Sequence, residues 1–152
     1  YCVSGKIFKI KGDGIMGTRS LTFVYEEAFN PGDEPQPIIN LYRQYDGYPT
    51  GHGAELAEFL STVKSNGMSC LAAQLVANFK DGPGQFYLYP VTAKDCGQDY
   101  EYHIYQQDKQ FRVEVIDRGC NMFGLTTSDR NDGLFAGNLA EFIELCKEEE
   151  MV

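Results

Sequence analysis

The stretch Leu41 to Val63, LYRQYDGYPTGHGAELAEFLSTV, changes its hydrophobic period partway along. Up to it, Ile39, Leu41 and Arg43 alternate with Ile38, Asn40 and Tyr42, the two-residue period of a strand. After it, Leu56, Phe59, Leu60 and Val63 fall at the i, i+3, i+4, i+7 spacing of one helical stripe. Asp46-Gly47 and Tyr48-Pro49 lie between, and proline holds the residue before it extended. A strand must therefore give way to a helix within one tight turn. Thr50 is the expected N-cap, the helix is predicted from Gly51 to about Ser65, and Asn66-Gly67 is its stop.

The same reasoning extends to the rest of the chain. Leu21–Glu26 and Pro37–Tyr45 predict a hairpin across a loop rich in Pro, Gly and Asp. Ser69–Lys80 repeats a helical stripe through Leu71, Leu75, Val76 and Phe79, so it should lie beside the first helix, as a hairpin or a bent pair. Gln85–Val91 is a strand. Asp99–Gln106 and Phe111–Asp117 form the clearest hairpin, with Glu101, His103 and Tyr105 facing away from Tyr100, Tyr102 and Ile104. Met122–Thr127 adds a further strand and Ser128–Gly133 a polar loop. A last helix starts at Asn138, with Glu141 completing a capping box, and buries Leu139, Phe142, Ile143 and Cys146. The expectation is an α+β domain: a mostly antiparallel sheet with about three helices packed on one face.

At 152 residues one domain with a real core is expected, spanning 16–152. Residues 1–15 are more basic and read as an N-terminal extension or an edge strand. The net charge of −9 argues against nucleic acid or an anionic membrane as partner. Five widely spaced cysteines, no CxxC and no long apolar run predict a reduced, cytoplasmic protein without metal or cofactor.

The turn collects the groups able to do chemistry. Arg43, Tyr45, Asp46, Tyr48, Thr50, Gly51, His52 and Gly53 are the expected ligand-binding residues. The N–H groups of a helix start lack intrahelical partners, so a small anion is the expected ligand, with His52 exposed beside it. Asp46 and His52 are also the candidate pair for acid–base catalysis in a small hydrolase or transferase. No nucleophile with an activating neighbour accompanies them, so a non-catalytic binding role, for a nucleotide-like anion or a protein partner, is the preferred reading. The partner class includes a homodimer. Tyr87, Tyr89, Tyr100, Tyr102 and Tyr105 are either sheet cover or a stacking surface.

MGTRSLT at 16–22 and YDGYPTGHG at 45–53, followed by ELAEFL at 55–60, resemble a family of small bacterial and phage proteins. That family carries no established activity. The resemblance implies a natural start at Met16 and an accessory role in phages or mobile DNA.

Overall fold

The computed structural model describes residues 17–27, 32, 34–118 and 133–150. The strands are β1 (Ser20–Tyr25), β2 (Pro37–Arg43), β3 (Phe86–Tyr89), β4 (Tyr100–Gln107), β5 (Gln110–Asp117) and β6 (Gly133–Asn138). The helices are α1 (Ala54–Thr62), α2 (Met68–Phe79) and α3 (Leu139–Glu150). The six strands form one sheet in the order β3-β2-β1-β4-β5-β6. Every neighbouring pair is antiparallel except β1 and β4, which run parallel at the centre. This is the α+β fold that the hydrophobic pattern predicts. No described helix is long and apolar enough to cross a membrane.

Alternation along the strands divides the sheet into two unlike faces. Val24, Leu41, Tyr102, Ile104, Val113 and Val115 join Leu56, Leu60, Leu71, Leu75 and Phe142 from the helices in the main core. Burying such side chains is worth roughly 1.5–3 kcal/mol each before entropy is counted. The opposite face carries a smaller cluster of Leu21, Phe23 and Tyr42, with Tyr25, Tyr89 and Cys96 against it. No helix covers this second cluster among the described residues. Instead the segment after β3 folds over part of it. The Asn40 amide holds that segment by donating to the carbonyls of Pro90 (3.1 Å) and Ala93 (2.9 Å).

Several boundaries differ from expectation. α1 starts at Ala54, after a wide turn at Pro49–Gly53, and Val63 is already extended (ψ 144°). Phe59 and Val63 are consequently only half-buried, while Ala57 joins the stripe. α1 packs along α3 and meets α2 through the rings of Phe59 and Phe79, 6.1 Å apart. β6 occupies Gly133–Asn138, between the expected loop Ser128–Gly133 and the expected helix start at Asn138. Its Gly-Leu-Phe-Ala-Gly-Asn sequence has little β propensity, and pairing with β5 supplies what the residues lack. The capping box does form. Asn138 N–H donates to Glu141 and Glu141 N–H to the Asn138 side chain, both at 2.9 Å. The expected extension 1–15 and the strand at Met122–Thr127 lie outside the described residues.

Candidate functional site

The turn is a packed joint between sheet and helix. The ring of His52 is fully buried, against the expectation that it would be exposed. It lies 5.1 Å from the Tyr102 ring and 5.2 Å from that of Phe79. Arg43 donates to its Nδ1 at 3.1 Å, and Thr22 Oγ1 sits 2.8 Å from Nε2. Guanidinium only donates, so Nδ1 accepts and Nε2 carries the proton that goes to Thr22. Burial, and then the charge of Arg43, push the His52 pKa well below its usual value. A neutral ring with both nitrogens engaged is a structural strut.

Arg43 is itself buried. Its Nε donates to the Tyr45 carbonyl (2.6 Å), a second nitrogen pairs with Glu55 (2.9 Å), and the cation lies 5.0 Å over the Phe86 ring. Asp46 is exposed, and its backbone takes a positive φ of 63°. Its carboxylate accepts the Tyr48 hydroxyl at 3.1 Å. Burial, then the Asp46 charge, raise Tyr48 to about 12. Asp46 thus pairs with Tyr48, and His52 with Arg43 and Thr22, so the expected acid–base pair is not assembled.

The N–H groups expected to greet an anion bond inside the turn. Gly51 and Gly53 donate to the Tyr48 carbonyl and His52 to that of Asp46, at 2.9, 3.3 and 2.8 Å. Thr50 is half-buried in the second position of the wide turn, so it is not the cap residue. The glycines serve close packing. A Cβ on Gly51 would fall 2.6 Å from the Asp46 carbonyl, and one on Gly53 would fall 3.0 Å from Cys146 Sγ. Tyr102 completes the joint by donating to the Gly47 carbonyl at 2.7 Å.

A concave site lies on the other face of the sheet. Residues of the segments 34–37 and 91–94 line, together with β1, β4 and β5, a basin of about 500 Å³. Its floor includes Phe23, Tyr25, Glu101, His103, Tyr105 and Glu114. His103 stacks on Phe23 with centroids 5.0 Å apart, and Tyr25 stacks on Tyr105 at 4.4 Å. Glu101 takes the Nε2 side of His103 at 3.0 Å, which leaves Nδ1 to accept the Tyr25 hydroxyl at 2.6 Å. Arg118 (2.8 Å) and the Gln98 amide (2.6 Å) also donate to Glu101. Burial pushes the Glu101 carboxyl up, but the bonds from His103, Arg118 and Gln98 outweigh it and hold it at about 2.

The chain Tyr25–His103–Glu101 has the outline of a nucleophile, a base and an orienting acid. Its electrostatics oppose that use. Burial first, then Tyr105, Glu101 and Glu114, raise the Tyr25 pKa, so its phenolate is disfavoured. Tyr25 is a neutral donor, and the network fixes ring positions along the basin wall.

Sequence reading placed Glu101, His103 and Tyr105 on one face, but offered only Tyr105 for a site, as one of five tyrosines that either cover the sheet or form a stacking surface. The clue available was the company they keep: a carboxylate two residues from a histidine on the polar face of a strand. Of the five tyrosines grouped by sequence, Tyr102 is core and Tyr100 packs against it, while Tyr105 lines the basin. Tyr89 stacks on Tyr42 at 4.9 Å. Cys70, Cys96 and Cys146 form no disulfide, and no group of three potential metal ligands occurs among the described residues. No family model, curated protein or solved structure matches the chain.

Proposed function

We propose that this chain is a non-catalytic binding protein, and that its ligand occupies the open-face basin. The observation that carries this reading is a cavity of about 500 Å³, within the range of small-molecule sites, whose polar wall is already locked in place by Tyr25, His103, Glu101 and Arg118. At the turn, His52 and Arg43 are spent on joining the sheet to α1. The resemblance of MGTRSLT and YDGYPTGHG to small bacterial and phage proteins supports an accessory role, and the five widely spaced cysteines without CxxC support a cytoplasmic setting.

A thermal-shift screen combined with native mass spectrometry tests the site. A compound that stabilises the wild type should lose its effect in His103→Ala and Tyr105→Ala and keep it in Asp46→Asn. The reverse pattern, or a complete absence of stabilising compounds, would overturn the basin. A protein partner is the second reading, favoured by Tyr87 and Leu88. These are 45% and 57% exposed on β3, an edge strand of the sheet. Concentration-dependent sedimentation that Leu88→Lys abolishes would support it.

A further inference from the structure

We infer that the basin selects an organic cation, a quaternary or alkylated ammonium group on a short apolar stem. This rests on the binding reading above and deepens it. Of the carboxylates lining the basin, Glu101 is neutralised by Arg118 and braced by His103. Glu34 and Glu114 line it too, and among the described residues their side chains have no hydrogen-bond or ion-pair partner. Both act electrostatically on the same aromatic wall. Burial raises the Tyr105 pKa first, and the charges of Glu114 and Glu34 raise it further. Tyr25, stacked on Tyr105, feels Glu101 and Glu114 in the same way.

Two uncommitted anions beside stacked phenol rings make a surface that gains from a positive charge in two ways. The ring faces attract a cation through their quadrupoles, and the carboxylates attract it by Coulomb's law. An anion would meet the opposite field. Lys94 is the one lining cation outside an ion pair among the described residues, and Arg112 stands across from Tyr105 on β5. Among the lining charges, with Glu101 and Arg118 cancelling, Glu34 and Glu114 outweigh Lys94; Arg112 is not a lining residue and offsets part of this field from β5, while the net charge of −9 on the whole chain adds a long-range attraction for cations. Phe23, Val91 and Pro35 supply apolar contact for a stem.

Choline and its uncharged isostere 3,3-dimethyl-1-butanol, titrated into the full chain and followed by NMR and calorimetry, separate charge from shape. Choline should bind at least about tenfold tighter than the isostere, and should shift the amides of β4 and β5 around Tyr105 and Glu114. Tyr105→Leu should weaken it about tenfold, while Tyr105→Phe, which keeps the ring face, should retain it. Glu114→Gln should weaken it severalfold and flatten its salt dependence. N-acetyl-trimethyllysine amide, run alongside, distinguishes a free small cation from a side chain presented on a peptide. Equal binding of isostere and choline at the same amides would overturn the cation inference and leave the basin standing. Binding of either compound with no shift in the basin would overturn both.

Discussion

His52 and His103 lie on opposite faces of one sheet and are held by opposite means. On the helix-covered face, His52 is enclosed by Tyr102, Phe79 and Phe86 and bonded to a cation, which keeps it neutral. On the open face, His103 is flanked by a carboxylate and a phenol and borders a basin. The motif richest in reactive side chains supplies the first, and an ordinary alternating strand supplies the second. Chemical variety in a short stretch can serve a joint as well as a site, because a strand-to-helix turn must also satisfy buried polar groups.

Mutation should separate the two faces sharply. His52→Ala opens a cavity and strips Arg43 and Thr22 of a buried partner, so a loss of about 3–4 kcal/mol is expected. His103→Ala, on the floor of the basin where the ring is only partly exposed, should cost about 1–2 kcal/mol. Urea denaturation of both variants measures the gap, and equal losses would dissolve the contrast.

Protonation gives a finer test. His52 stays neutral in the fold, so the unfolded chain binds an extra proton below about pH 6.5; its contribution is present above that pH and is lost as pH falls. Asp99 behaves oppositely. Burial, opposed by its bond from the Arg19 N–H, raises it from 3.8 to about 6. Its contribution is complete below pH 3.8 and is lost as pH rises to about 6. The two offset each other in the overlap. Stability of His52→Asn should therefore fall from pH 4 to 6, and that of Asp99→Asn should rise over the same interval. Glu101, held at about 2, adds stability above pH 4.5 that disappears as pH drops towards 2. Parallel stability–pH curves for the two variants would contradict these assignments.

The smallest effect is expected at the basin wall. Glu114→Gln should change stability by no more than about 0.5 kcal/mol, and upward, because it removes a charge near Glu101, Tyr25 and Tyr105. A loss above 1 kcal/mol in the same melts would make Glu114 part of the framework.

The fold was legible where a periodic pattern was long and well punctuated. The faces of Pro37–Arg43, Tyr100–Gln107 and Gln110–Asp117 came out as the alternation requires, and Asn138 and Glu141 cap each other as their spacing demands. β6 was not legible, because its pairing comes from β5 and not from its own residues. The site was not legible either. The burial of His52 depends on α2 and β3 arriving over the turn, and the basin depends on two distant loops meeting the same three strands. Neither is encoded in a local spacing.

The parallel ladder between β1 and β4 bears on how the chain reaches this structure. β1-β2-β3 and β4-β5-β6 are each built from antiparallel neighbours, and a single seam joins them. At that seam the Arg19 N–H meets Asp99 across 80 residues of chain. Loop-closure entropy must be met before such a contact stabilises anything, so the seam belongs to the late part of folding. During vectorial synthesis the inner edge of β1, SLTFVY, waits unpaired until β4 leaves the ribosome. An apolar edge of that kind is a template for the wrong neighbour. The yield of native protein should therefore depend on how soon the second meander follows the first.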